Sequence, residues 1–232
     1  MKYANIVPNA LNKIADKHND LHLLLVHWAM ENKEYTNFYR KSKVYKILDN
    51  SFYELRKILP AKELLHWAYI LKVDEVVLPD KMYDYKTTKK LINEFFNNLD
   101  FNTFLNFKWQ AVVCGRTEKE IKKCFIDYLN DNRINIISFS RRGQVFSNEC
   151  HDNARFRIVK WACEYMIKHN KIKPIHLLGA NGIKDYYREW PKQVRSLDSK
   201  QYTNTLLGDW KLNCKVSSIQ KQIFKYLIKK EE

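Results

Sequence analysis

Val194-Arg195-Ser196-Leu197-Asp198-Ser199 reads as a short buried strand that ends on a carboxylate. Two earlier stretches have the same form: Val44-Tyr45-Lys46-Ile47-Leu48-Asp49-Asn50-Ser51 and Glu75-Val76-Val77-Leu78-Pro79-Asp80. A near-continuous apolar run is the mark of a parallel strand buried on both faces. An Asp at its end places a charge where the chain leaves the core. Three such runs predict three carboxylates, Asp49, Asp80 and Asp198, at one rim of one sheet.

Further strands are predicted over residues 3–7, 22–28, 109–114, 134–139 and 174–178. Helices are predicted between them: 10–17, 52–59, 61–71, 87–97, 117–130, 152–168 and 182–190, with a last one over 219–230 after Ser217 or Ser218. The helix over 87–97 carries Leu91, Ile92, Phe95 and Phe96 as its apolar stripe. Thr117 with Glu120 three residues on forms a capping box. Residues 31–40 read as a polar, aromatic connection. Strand and helix alternate about eight times, the count of a (β/α)8 barrel. A doubly wound sheet is the competing fold, but no glycine-rich phosphate turn follows an early strand. No linker, repeat or low-complexity tract divides the chain, so residues 1–232 read as a single compact barrel domain.

The chain has 232 residues, 45% hydrophobic and 14% aromatic, which is enough for a real core and excludes a disordered chain. Lys and Arg number 41 against 26 Asp and Glu, a formal charge of +15. That surplus points to a polyanionic partner, nucleic acid above all; a solvated lysine-rich surface is the plainer alternative. Arg141-Arg142-Gly143-Gln144 follows a strand end and so falls at the rim of the acids, with Arg155 and Arg157 on the next helix. These are candidate phosphate contacts. Lys81, Lys86, Lys89 and Lys90 form a second candidate, with Tyr83 and Tyr85 beside them to stack on bases. The five cysteines are odd in number and include no Cys-x-x-Cys pair, so a reducing interior is expected. No signal-peptide core and no membrane-length apolar run is present, and a soluble cytoplasmic protein is expected.

An Asp directly after a strand is ordinarily the N-cap of the next helix. Here other caps are at hand: Asn50 and Ser51 after Asp49, Asp84 and Thr87 after Asp80. No clear helix follows Asp198. The three acids are thereby free for chemistry. Burial and like-charge crowding let one carboxyl carry a proton while another stays ionised, and a carboxylate is a nucleophile at sugar anomeric carbons. On a basic protein that combination suggests chemistry at a nucleoside. His176, on a buried strand, reads first as a satisfied core histidine near the pocket, and His22 and His27 carry less weight. Cys114 has no partner base nearby in sequence that would make it a nucleophile.

In these residues the chain resembles the tRNA-guanine transglycosylases, and more closely their shorter, largely viral relatives that insert 7-deazaguanines into DNA. Leu48-Asp49-Asn50-Ser51-Phe52 is similar to the family's Asp-Ser-Gly-Gly-Phe segment. Leu78-Pro79-Asp80 matches the strand end whose Asp reads the guanine edge. Val112-Val113-Cys114-Gly115 falls on the Val-Gln-Gly segment, and Ile136-Ile137-Ser138 falls where the family has Ile-Gly-Gly. Lys173-Pro174-Ile175-His176-Leu177-Leu178-Gly179 resembles the Pro-Arg-Tyr-Leu-Met-Gly strand, and Arg195-Ser196-Leu197-Asp198-Ser199 the strand bearing the nucleophile. The resemblance runs over residues 22–199.

The resemblance implies that Asp198 attacks C1′ of a nucleoside and displaces guanine. It implies that Asp49 handles protons on the leaving and incoming bases, and that Asp80 binds the base's N1 and amine edge. Asn50, Cys114, Gly115, Ser138, His176 and Gly179 are the implied lining of the base site. A free 7-deazaguanine base is the second substrate, and no cofactor or ATP is implied. Barrels of this family often pair, so a homodimer is the implied assembly. Three departures stand out. Cys114 replaces a Gln that would hydrogen-bond the guanine carbonyl. Ser138-Phe139 replaces Gly-Gly. The family's zinc motif is absent, with only Cys214 and no His after Asp198, so no tetrahedral site can form there. The missing zinc subdomain favours DNA over tRNA. A tRNA enzyme, a nucleic-acid N-glycosidase releasing the base to water, and a non-catalytic nucleic-acid-binding subunit are the alternatives.

Overall fold

Eight parallel strands form one sheet in the order β1-β8-β7-β6-β5-β4-β3-β2, curled into a nearly closed barrel with helices interleaved. The computed structural model describes residues 1–141, 150–180, 185 and 188–228. The elements are β1 (Lys2–Asn5), α1 (Asn12–His18), β2 (Leu21–Leu25), α2 (Val26–Glu31), α3 (Lys33–Lys41), β3 (Tyr45–Asp49), α4 (Phe52–Leu55), α5 (Ala61–Leu71), β4 (Glu75–Val77) and α6 (Tyr85–Asn97). They continue as α7 (Phe101–Asn106), β5 (Lys108–Val113), α8 (Glu118–Asn130), β6 (Ile136–Ser140), α9 (His151–Lys168), β7 (Ile175–Leu178), β8 (Val194–Ser199), α10 (Gln201–Leu207) and α11 (Ser218–Ile228). The fold is the (β/α)8 barrel that the strand count predicts. Among the described residues, no helix is long and apolar enough to cross a membrane.

The period-2 alternation of each strand sorts side chains into two shells. Ile47, Val77 and Val112 face the barrel interior with Ala4, Leu21, Leu23 and Leu25. Leu48, Val76, Trp109, Val113 and Leu177 face the helices and join the main core. Trp109 anchors that outer layer, with Phe95, Phe96 and Phe107 set edge-on around it at 5.5, 5.8 and 5.6 Å between ring centroids.

The interior is closed at the N-terminal end of the strands by a charged plug. Glu75 opens β4, is fully buried, and takes both its carboxylate oxygens to Arg195 Nη2 at 2.7 and 2.6 Å. The Tyr45 hydroxyl donates to the same carboxylate at 2.9 Å. The pairing of β7 with β8 slips between Ile175 and His176. This bulge lets Arg195 and Ser196 both turn inward, Arg195 to the plug and Ser196 to His176. The seam between β1 and β2 is not a ladder. The Asn19 side chain accepts from Asn5 N and returns a bond to Asn5 O, and Asp20 Oδ2 accepts from Tyr3 N.

Several expected boundaries move. The run 22–28 does not stay extended: the strand ends at Leu25 and Val26 starts a helix. An apolar run does not by itself distinguish a strand from a buried helical turn. The expected connection over 31–40 is largely the helix α3, capped by Asn32 Oδ1 accepting from Tyr35 N at 2.8 Å. The helix after Asp49 is one turn, because Arg56 takes a left-handed backbone at φ 55. A helix, α10, does follow Asp198, and Asp198 does not cap it. Thr117 caps its helix by accepting from Glu120 N, but the Glu120 carboxylate accepts from Arg116 N and not from Thr117 N, so the expected box is only half formed; Ser217 caps the last helix, with Gln220 and Ser217 bonded reciprocally. Most of the helix expected over 182–190 lies outside the described residues.

Candidate active site

β3, β4 and β8 deliver three carboxylates to one cavity of about 420 Å³ at the C-terminal mouth of the barrel. Asp49 ends β3, Asp80 follows β4 after Leu78-Pro79, and Asp198 lies one residue before the end of β8. Six of the residues expected at the site line this cavity: Asp49, Asn50, Asp80, Arg141, Gly179 and Asp198.

Asp198 is the most tightly oriented of the three. Only 3% of the residue is exposed. Its Oδ1 accepts from Gly179 N at 3.1 Å and from His176 Nε2 at 3.2 Å; Oδ2 shares the Gly179 N–H at 3.2 Å. With the Asp198 oxygen as acceptor, Nε2 of the imidazole is the donor. Nδ1 then accepts from the Ser196 hydroxyl, 2.8 Å away. His176 is thus a satisfied buried histidine that also fixes the Asp198 carboxylate. Gly179 has φ 67, a left-handed backbone that glycine adopts without penalty, and it turns its N–H toward Asp198.

Asp49 and Asp80 sit in different electrostatics. Asp49 Oδ2 accepts from Ser51 N at 2.8 Å, while Asn50 Oδ1 accepts from Phe52 N at 2.9 Å. These two Asx turns force Ser51 to φ 53. Burial, then the nearby charges of Glu54, Asp80 and Asp198, raise the Asp49 carboxyl well above the ordinary range, against the Ser51 N–H. Burial raises the Asp80 carboxyl to about 6, opposed by the Asn50 amide. That amide donates to Asp80 Oδ1 and to Leu78 O, both at 2.8 Å. Asp80 is not a helix cap: Asp84 caps α6, accepting from Thr87 N at 3.0 Å.

Other expected site residues lie elsewhere. Ser138 is fully buried and donates to Ala111 O at 3.1 Å, below the cavity floor. Cys114 faces the helix layer, where its thiol donates to Thr88 Oγ1 at 3.3 Å. Hydrogen bonding with Cys124 and burial push that thiol far up, so it is no nucleophile. Gly115 is explained by packing: a Cβ there would stand 2.8 Å from Glu120 Cβ and 2.9 Å from Ile121 N.

The candidate phosphate contacts also divide. Arg141 reaches the cavity and pairs with Asp152 through Nε at 2.9 Å. Arg155 is fully buried, pairs with buried Asp185, and donates to Leu178 O at 3.0 Å. It therefore braces the end of β7 beside Gly179 and is closed to phosphate. A charged residue on a helix reads as surface in the sequence; its partner, thirty positions on, gives no local sign. Arg157 pairs with Glu118 at 2.8 Å. Lys81, with its salt bridge to Asp84 at 3.7 Å, and Lys86 are exposed and do not line the cavity. Arg142 lies outside the described residues.

Sequence reasoning missed Phe52, Tyr53, Glu54, Met82, Ser140, Lys200 and Asn204, all of which line the cavity. The available signal was position: Phe52, Met82 and Lys200 each follow a rim carboxylate by two or three residues. No protein-family model matches the chain, and no curated protein matches it.

Proposed function

We propose that this protein exchanges the base of guanine nucleosides in nucleic acid, DNA in preference to tRNA, for a free 7-deazaguanine through a covalent Asp198-glycosyl ester. The observation that carries this reading is the convergence of three acids in unlike environments: Asp198 held by two N–H donors, Asp49 pushed by burial toward its protonated form, and Asp80 raised to about 6 with Asn50 on one oxygen. A set of acids whose environments drive their proton affinities apart is the requirement for nucleophile and acid–base roles at an anomeric carbon.

In the first step an Asp198 oxygen attacks C1′. Oδ2, which shares one donor while Oδ1 has two, is the better nucleophile. The C1′–N9 bond breaks, its electron pair stays on the purine, and Asp49 gives the departing base its proton. In the second step Asp49, now ionised, takes the N9 proton of the incoming 7-deazaguanine. That nitrogen attacks C1′, the ester C–O bond breaks, and Asp198 is regenerated. Asp80, with Asn50 fixing one oxygen, accepts from the N–H edge of the base. A guanine in duplex DNA must leave the stack, at a cost of a few kcal/mol. The +15 formal charge supports a polyanionic substrate.

The test offers labelled guanine and the 7-cyano and 7-aminomethyl 7-deazaguanines with either DNA or tRNA. Label in DNA is expected. Label in tRNA alone transfers the activity to the other substrate. Abasic sites without label identify a hydrolase, and neither product leaves a non-catalytic binding subunit.

A further inference from the structure

Lys200 is a cation at the mouth that no carboxylate pairs among the described residues. It lines the cavity two positions after Asp198, half-buried at the exit of β8. Its ammonium lies 5.0 Å from the Trp28 ring centroid and 5.9 Å from that of Trp210. The two indoles meet at 5.6 Å with planes at 57°. Each is anchored: Trp28 sits edge-on to buried Tyr35, and Trp210 Nε1 donates to Asn204 Oδ1 at 2.8 Å. Aromatic faces hold a cation in place, yet they satisfy none of the three N–H donors of an ammonium. The arrangement fixes a positive charge in the lining of the mouth. Arg141, the other cation lining the cavity, already spends its Nε on Asp152.

A nucleoside within a strand carries a phosphate on each side of its sugar. With C1′ at Asp198, those phosphates have to pass the lining of the mouth, to which Lys200 belongs. We propose that Lys200, held against the paired indoles of Trp28 and Trp210, clamps the phosphate next to the nucleoside whose base enters the Asp49–Asp80–Asp198 cavity. This inference rests on the nucleic-acid reading above and names a contact that reading does not include. Lys200 is a positioning residue, setting the sugar against Asp198 without touching the reacting atoms.

The test is the salt dependence of binding for wild type, Lys200→Met and Lys200→Arg, measured by anisotropy with a guanine-containing DNA oligonucleotide. Loss of one phosphate contact lowers the slope of log affinity against log salt by about 0.7–0.9. Affinity in Lys200→Met then falls about 5–8-fold at 0.1 M salt and converges with wild type near 1 M. Lys200→Arg restores the slope. A methylphosphonate beside the target guanine weakens wild type and leaves Lys200→Met unchanged. The methionine stem keeps the packing on the indoles, so a purely structural clasp moves the melting temperature without moving the slope. An unchanged slope in Lys200→Met, with wild type still binding and exchanging base, overturns the clamp alone. Failure of wild type to bind DNA or tRNA overturns the clamp and the proposed function together.

Discussion

Asp80→Asn is expected to make the protein more stable at neutral pH while impairing its chemistry. Burial lifts the Asp80 carboxyl from the ordinary 3.8 to about 6. Between those values the folded chain holds a proton that the unfolded chain has released. Stability therefore falls as pH rises through this window, since the folded state binds more protons there. At about 1.4 kcal/mol per pH unit, the loss by pH 8 is about 3 kcal/mol, and about 2 kcal/mol after allowance for partial exposure at the mouth. Asparagine keeps the shape and an oxygen to accept the Asn50 amide, and it has no charge to desolvate. Urea unfolding at about pH 4 and pH 8 reads the difference. The variant should match wild type at low pH and exceed it by about 2 kcal/mol at pH 8, roughly 4–8 °C in melting temperature for a chain of this size. A gain of the same size at both pH values, or no gain at pH 8, refutes the desolvation account of Asp80. Retained stability with lost function is the behaviour of a site that trades folding energy for chemistry.

Two further expectations concern the scaffold. Glu75→Ala leaves Arg195 and Tyr45 facing a void in the barrel floor and should cost about 3–5 kcal/mol in urea unfolding; the double variant Glu75→Met/Arg195→Met should recover most of it, and a small loss in the single variant would show the plug to be marginal. Ser51→Gly relieves a left-handed backbone at φ 53 but loses the hydroxyl that accepts from His27 N at 3.4 Å and adds unfolded-chain entropy, so it should stay within about 1 kcal/mol of wild type, whereas Ser51→Val at the same fully buried position should destabilise by more; the reverse order would mean that the strain is absent.

The barrel was legible because its strands are buried on both faces and therefore appear as apolar runs. The three rim acids were legible for the same reason: an Asp that closes such a run has one place to go. What stayed hidden depends on partners distant in sequence. Arg155 is locked inside by Asp185 and the Leu178 carbonyl, and nothing beside it in the chain signals this. Glu75 and Arg195 meet across the barrel floor from positions 120 residues apart. Cys114 and Gly115 follow β5, yet the chain there turns toward α8, so their side-chain environment is helix packing and not the cavity. Helix α2 was obscured because Val26-His27-Trp28 extends the apolar run of β2 without a break. Lys200, Trp28 and Trp210 come together only when β8, β2 and the segment after α10 share one rim.

The central claim is a covalent bond between Asp198 and a nucleoside. Intact-mass spectrometry after acid quench, with guanine-containing DNA and no incoming base, tests it most directly. Wild type should show the chain carrying the oligonucleotide less one guanine, and Asp198→Asn should bind the DNA with nearly unchanged affinity and show no such species. An adduct that persists in Asp198→Asn, or base exchange by wild type with no adduct under any quench, contradicts it.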